Sequence, residues 1–129
     1  MVKYSTQIPV RNSANSPHAI APSVAESTFI QALKNRAPHL CIQDRLSERL
    51  MAATDNSIYQ VWPQAVILPR SESELASVFQ LATDFPELVF TPRGGGTGTN
   101  GQSLNGGIVL DTSRYMRQVI DLDLSKQKV

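Results

Sequence analysis

Five glycines fall within eight consecutive positions, 94–101, directly after a short apolar run, and no other feature of the chain restricts its fold as strongly. Glycines disfavour helices and strands because they lose the most backbone freedom when they become ordered. Without a Cβ their amide N–H groups stay uncovered, so neighbouring glycines can form a concave row of donors for an anion. Residues 91–101, which read TPRGGGTGTNG, are therefore predicted to form a phosphate-binding loop, with a pyrophosphate as the leading ligand.

The side chains of this loop add further donors. Thr97 and Thr99 carry hydroxyls, and Arg93 places a positive charge at the entrance, although a structural role for this arginine is an equal alternative. Asn100 either donates its side-chain amide or accommodates left-handed backbone. The predicted cofactor-binding residues are Pro92, Arg93, Gly94, Gly95, Gly96, Thr97, Gly98, Thr99, Asn100 and Gly101. A loop without a ligand is the alternative, but ordinary turns do not require the entropy cost of so many glycines.

Two familiar phosphate motifs have a similar composition. A P-loop is excluded because no Gly-Lys-Ser/Thr follows the glycines. Residues 96–101 match G-x-G-x-x-G, and Asp121 lies about 20 residues further on, as in a dinucleotide-binding fingerprint. That fingerprint has to open a helix, however, and the segments Asn100-Gly101 and 105–107 interrupt the interval before the next strand. The amides that bind the phosphate are therefore expected to come from the loop itself.

Length and composition exclude several other classes of protein. The 129 residues suffice for one modest domain, and a net charge of +1 without basic runs argues against a nucleic-acid partner. Apolar runs are short and the N-terminus has no apolar core, so we expect no transmembrane segment, no signal peptide and a cytoplasmic location. The single cysteine, Cys41, excludes an internal disulfide and a cysteine-based metal site within the chain. No metal ligand or catalytic residue is assigned, and His18 and His39 are expected to face solvent.

The N-terminal part of the chain is predicted to be a flexible tail followed by helices. Residues 1–22 are rich in Ser, Asn, Pro and Ala without periodicity, which is typical of a tail. Residues 23–53 are predicted to be a helical extension with helices over 23–37 and 40–53. The first helix has Val24, Phe29, Ile30 and Leu33 as its apolar positions.

Residues 54–129 show the pattern of a mixed α/β (α+β) fold with a small sheet and a flanking helix. Strands are predicted over 65–69, 88–91, 107–111 and 119–122, and the first two are expected to be a parallel pair with a right-handed connection. Between them a capping box at 71–74 opens a helix that is expected to bury Leu75, Val78, Phe79 and Ala82. Residues 55–57 are interpreted as a turn or cap, and Tyr59 and Trp62 as core residues.

Residues 92–101 and the following GIVLDTS at 107–113 resemble the first part of the FAD-binding domain of the p-cresol methylhydroxylase and vanillyl-alcohol oxidase type. The upstream order agrees with that family, because a strand like 65–71 and a helix like 73–83 precede the glycine loop. The resemblance covers residues 54–129 and implies the first, incomplete subdomain of such a domain. It also implies that the glycine loop holds the pyrophosphate of FAD.

Within that family, TDNSIY at 54–59 and the long glycine loop are similar to bacterial FAD-linked dehydrogenases of D-2-hydroxy acids. The branch that oxidises D-2-hydroxyglutarate and carries a C-terminal iron–sulfur module is the best match. The resemblance implies hydride transfer from a 2-hydroxy acid to flavin, giving the 2-oxo acid. Those enzymes are far longer than this chain, so the chain alone is expected to be inactive and to self-associate through an open sheet edge. A self-standing nucleotide-phosphate module and a non-catalytic remnant are the alternatives.

Overall fold

The computed structural model describes residues 22–129, so His18 and all but the last residue of the predicted tail lie outside the described part of the chain. The elements in chain order are α1 (Val24–Arg36), β1 (Cys41–Gln43), α2 (Leu46–Met51), β2 (Ala65–Leu68), α3 (Glu72–Ala82), β3 (Phe90–Arg93) and β4 (Ile108–Asp111). They confirm the predicted mixed α/β fold with a small sheet. No helix among the described residues is long and apolar enough to cross a membrane.

The four strands form one mixed sheet in the order β1-β2-β4-β3. β1 runs antiparallel to β2, and the other strands are parallel, with Ile108 of β4 level with Ala65 on one side and Phe90 on the other. β2 and β3 are parallel, as predicted, but they are not direct neighbours because β4 lies between them. Each of them instead pairs in parallel with β4.

The two longer helices begin at serine caps. Ser23 and Glu26 form a complete capping box at the start of α1, with bonds of 2.7 and 3.2 Å. At α3 the Ser71 hydroxyl accepts a hydrogen bond from the Glu74 amide, as predicted. The carboxylate of Glu74 accepts from the amide of Arg70 instead of closing the box at Ser71. The local signals therefore fix both helix starts.

Two predicted elements are wrong. The helix expected over 40–53 is replaced by β1 and the shorter α2, because residues 41–43 pair with residues 66–68 of β2. This long-range pairing outweighs the helical pattern of the sequence. The strand expected over 119–122 is not formed either, and Val119 and Ile120 are 72% and 91% exposed. Its apolar residues have no neighbouring strand among residues 22–129 to pair with.

The core lies mainly on one face of the sheet, where α1 and α3 cover side chains of β2 and β4. Its buried members are Phe29, Ile30, Leu33, Leu40, Ala65, Ile67, Val78, Leu81, Ile108 and Leu110. A smaller cluster of Val66, Leu68 and Val109 lies on the opposite face. The helical segment before residue 54 thus shares its core with the sheet that follows. The expected burial of Phe79 is wrong, since its side chain is 50% exposed.

We expect Phe29→Ala to lower the free energy of unfolding by about 3–5 kcal/mol, because it removes a fully buried ring and leaves a cavity. The Phe29 ring also packs edge-to-face against Phe85 and Phe90, with centroids 5.4 and 5.3 Å away. Urea unfolding followed by circular dichroism measures the change. Phe79→Ala, at a half-exposed position of α3, is the matched control, and equal losses in both variants would contradict the described core.

Candidate functional site

The glycine loop is the connection between two neighbouring parallel strands. β3 ends at Arg93, level with Asp111 of β4, and residues 94–107 lead back to the start of β4. Such a crossover usually contains a helix. This one contains none, and its only backbone bond within the loop is from the Leu104 amide to the Gly101 carbonyl, at 3.0 Å. The prediction that no helix follows the glycines is confirmed.

The absence of a helix leaves a row of amides without partners. Within residues 22–129, the backbone N–H groups of 94–99 donate no hydrogen bond, and the hydroxyls of Thr97 and Thr99 make none either. The Asn100 amide donates to the side-chain oxygen of Gln102, at 3.1 Å. The loop residues 94–101 are half-buried or exposed. Accessible unpaired amides of this kind are suited to an anionic ligand.

Left-handed backbone occurs at only two of the loop glycines. Gly96 has φ 65° and Gly101 has φ 75°. A Cβ on Gly96 would lie 2.7 Å from the Arg93 guanidinium, and one on Gly101 would lie 3.0 Å from the Tyr59 ring. A Cβ on Gly94 would meet nothing within 4 Å. Space for a side chain is therefore available at Gly94, and its backbone is uncovered because the residue has none.

Arg93 is turned towards the segment that precedes β2. Its Nη1 donates to the carbonyl of Ala52 at 3.2 Å, and its Nη2 donates to the carbonyl of Thr54 at 2.8 Å. The guanidinium also lies beside Gly96, whose missing Cβ makes room for it. The two hydrogen bonds therefore hold the predicted positive charge against the carbonyls of Ala52 and Thr54, next to the start of the loop.

Asp55 connects the same segment to the far end of the loop. One carboxylate oxygen accepts from the Ser57 amide and the other from the Ser103 hydroxyl, both at 2.8 Å. The first bond confirms the turn predicted at 55–57. Hydrogen bonding from Ser57 lowers the pKa of Asp55 against an opposing effect of desolvation, and Ser103 and the charge of Arg93 lower it further.

Two contacts of this segment could not be inferred from the sequence. The Asn56 amide donates to the Gly96 carbonyl at 3.0 Å, and the Ser103 hydroxyl reaches Asp55 across 48 positions of sequence. Ser103 carries no local signal that would have marked it as part of the site. The interpretation of Tyr59 as a core residue is wrong, since it is 55% exposed and lies against Gly101.

A cleft of about 260 Å³ lies beside the loop, where the parallel strands end. Its walls include Leu68, Arg93 and Asp111, the last residues of β2, β3 and β4, together with Arg114 and Tyr115. Ligands of open α/β sheets bind outside the carboxyl ends of the strands. Among the described residues no three His, Cys, Asp or Glu side chains are grouped as metal ligands. The structure thus presents a row of unpaired backbone amides and, at the ends of the strands, a cleft that Arg93 lines.

We expect Gly96→Ala to lower the free energy of unfolding by about 1–3 kcal/mol, because a non-glycine residue is strained at this φ and its Cβ meets Arg93. Gly94→Ala is the matched control in the same loop, where a Cβ has open space. It should leave stability unchanged or raise it slightly. Urea unfolding measures the free energy of unfolding of both variants. Equal destabilisation would contradict the loop conformation described above.

We expect Asp55→Asn to flatten the acid dependence of stability. A carboxyl whose folded-state pKa is lowered contributes stability that is fully present above its unfolded pKa of about 4, and that is lost as the pH falls through the folded value. The wild-type free energy of unfolding should therefore fall more steeply below about pH 4 than that of the variant. Urea titrations at a series of pH values measure the two slopes. Parallel slopes would show that Asp55 is not stabilised in its ionised form.

Comparison with known proteins assigns a family to this arrangement. Residues 63–129, more than half of the chain, match the model of the FAD binding domain. The chain is 46% identical over 104 residues to a D-2-hydroxyglutarate dehydrogenase of Pantoea ananatis, and 44% identical over 107 residues to one of Escherichia coli. These matches cover 79% and 80% of this chain but only 10% of either relative. The chain therefore spans about a tenth of the length of these enzymes.

Solved structures agree with this assignment at the level of the fold. Alkyldihydroxyacetonephosphate synthase superposes with a TM-score of 0.61 at 24% identity, over 76% of this chain and 21% of that one. Physcomitrella patens BBE-like 1 gives a TM-score of 0.54 at 22% identity, over 64% of this chain and 18% of that one. The family match also confirms FAD as the expected cofactor. The chain belongs to the FAD binding domain family, as predicted from the glycine loop and from the order of the strand and helix that precede it in the sequence.

Proposed function

We propose that the chain is the FAD-binding part of a dehydrogenase that oxidises a 2-hydroxy acid, such as D-2-hydroxyglutarate or D-lactate, to the 2-oxo acid. The substrate class comes from the relatives that are named D-2-hydroxyglutarate dehydrogenase and are 46% and 44% identical to the chain. The activity belongs to the complete enzyme, of which this chain represents about a tenth. We expect the chain alone to be inactive, because it offers no residue for which a catalytic role can be argued.

The proposed role of the chain is to hold the diphosphate of FAD at residues 92–101. The observation that carries this proposal is the row of accessible amides over 94–99, which have no partner within residues 22–129. The hydroxyls of Thr97 and Thr99 add donors, and Arg93 contributes positive charge from the base of the loop. These groups fit an extended anion, because several neutral donors without protein partners follow one another at exposed or half-buried positions.

FAD, when bound, supplies the acceptor for the hydride that leaves Cα of the substrate, while the hydroxyl proton passes to a base. What this chain contributes is binding and orientation. The amides position the diphosphate, and the cleft at the ends of β2, β3 and β4 provides adjoining space of about 260 Å³. A positioned cofactor matters for rate, since catalysis depends on how closely the reacting atoms are aligned.

The organisation proposed for the chain follows from this role. Residues 54–129 would form the first part of the flavin domain, with 23–53 packed against it. A cytoplasmic location is proposed as well. Self-association through a sheet edge is also proposed, because β1 and β3 each pair on one side only. The edges are short and β3 contains Pro92, so this association should be weak.

We expect the chain to quench flavin fluorescence on titration with FAD, and ADP to compete whereas riboflavin does not. ADP shares the diphosphate of FAD and riboflavin has no phosphate, so the pair isolates the contribution of the glycine loop. Gly96→Val should raise the Kd of FAD by at least about tenfold, because its Cβ displaces Arg93 and its φ is strained. Gly106→Val is the matched control, since a Cβ there comes no closer than 4.0 Å to another residue.

Two results would contradict the proposal. Competition by riboflavin that equals competition by ADP would place recognition at the ring system instead of the diphosphate. Unchanged FAD binding by Gly96→Val would remove the loop from the site. Binding of ADP or inorganic phosphate that is tighter than binding of FAD would favour the alternative of a self-standing nucleotide-phosphate module.

A further inference from the structure

Residues 52–61, here called the clamp segment, touch the glycine loop at its beginning, middle and end. The clamp segment is closed on itself by a bond of 2.9 Å from the Val61 amide to the Ala53 carbonyl and by a bridge between Thr54 and Gln60. From this small closed unit, contacts run to Arg93 at the start of the loop, Gly96 in its middle, and Gly101 and Ser103 towards its end.

Arg93 uses its forked geometry inside this contact. Two of its nitrogens donate to carbonyls two residues apart, those of Ala52 and Thr54, and the guanidinium lies beside the left-handed Gly96. A planar guanidinium can bridge two acceptors in a fixed orientation, which a lysine ammonium on a flexible stem cannot do. Arg93 therefore shapes the loop in addition to carrying a positive charge.

Asp55 connects the clamp segment to the far end of the loop, as Arg93 does at the start. Its two carboxylate oxygens are divided between the clamp segment, through the Ser57 amide, and the loop, through the Ser103 hydroxyl. Hydrogen bonds to an ionised acceptor are stronger than those between neutral groups. Asp55 thus ties the return of the loop to the same unit that Arg93 ties to its start.

These contacts matter because the loop has little else to hold it. Glycine-rich backbone has much conformational freedom, and ordering it during binding would reduce affinity. We propose that the clamp segment preorganises the glycine loop for its diphosphate ligand, with Asp55 and Arg93 as positioning residues. This inference rests on the proposed function for the identity of the ligand, but the order of the free loop is a property of the chain itself.

The test is ¹⁵N relaxation of the ligand-free chain, combined with FAD titration. In the wild type the amides of 94–101 should have order parameters near about 0.85, and Asp55→Ala should lower them towards about 0.6. Ser103→Ala should act in the same way, and either variant should raise the Kd of FAD about tenfold. Because Asp55→Ala already breaks the contact with Ser103, the double variant should be no worse than Asp55→Ala alone.

Asp55→Asn is the rescue variant. Its side-chain carbonyl can still accept from the Ser57 amide, and its NH₂ group can donate to the Ser103 hydroxyl, so the loop should stay ordered. Asp123→Ala is the matched control, because Asp123 accepts the same type of hydrogen bonds from Ser125 and Lys126 outside the clamp segment. It should leave the order of the loop and the Kd of FAD unchanged.

Arg93→Lys separates the shape of the loop from its charge. If Arg93 positions the loop, the lysine variant should lose loop order and raise the Kd of FAD about tenfold despite its retained charge. Wild-type behaviour of Arg93→Lys would overturn the positioning role of Arg93.

The remaining outcomes decide whether the clamp segment orders the glycine loop. Unchanged order parameters over 94–101 in Asp55→Ala would overturn it, and so would a rescue variant as mobile as the alanine variant. A loss of order that extends equally into α1 and α3 would also overturn it, because that would be general destabilisation. Failure of the wild-type chain to bind FAD would contradict the proposed function, and the relaxation of the free loop would still decide the clamp.

Discussion

The structure depends on one constraint of backbone hydrogen bonding. β3 and β4 are parallel neighbours, so the chain between them has to travel back along the sheet, and residues 94–107 do so without a helix. A helix would have paired its own amides and carbonyls, whereas this crossover leaves the amides of 94–99 without partners among the described residues. Buried, such groups would destabilise the fold. At the surface, beside the carboxyl ends of the strands, they are free to serve as the donors of the anion site that we propose.

A crossover with so few internal hydrogen bonds is ordered by contacts with other parts of the fold. Here residues that precede β2 provide these contacts. The buried Arg49 of α2 donates to the Pro63 carbonyl at 2.7 Å and to the Gln64 side chain at 2.9 Å. The backbone N–H of Gln64 in turn donates to the carbonyl of Gly107, at the end of the crossover, at 2.7 Å. α2 therefore fixes the exit of the loop through Gln64, while the clamp segment fixes the rest. The helices and β1 are part of the scaffold of the site, since they share its core and its hydrogen bonds.

Local patterns in the sequence predicted what is determined locally. The glycine cluster, the serine cap of α3, and the apolar runs of β2 and β4 each contain their own signal within a few residues, and the structure places them as expected. What depends on distant partners was missed. β1 exists because it pairs with β2, and the bond from Ser103 to Asp55 joins residues 48 positions apart. The exposed Tyr59 was misassigned for the same reason, since only the fold brings Gly101 beneath its ring.

A carboxylate beside a site for an anionic ligand needs a physical reason, because like charges repel. The Asp55 carboxylate is occupied by hydrogen bonds from Ser57 and Ser103. The bonds from Ser57 are the main reason that its pKa is lowered, and the charge of Arg93 makes the smallest contribution. The negative charge of Asp55 is therefore stabilised mainly by its own hydrogen bonds, and the uncovered amides of 94–99 remain the donors that the loop offers to a ligand. In the proposed clamp, Arg93 shapes the loop through the carbonyls of Ala52 and Thr54.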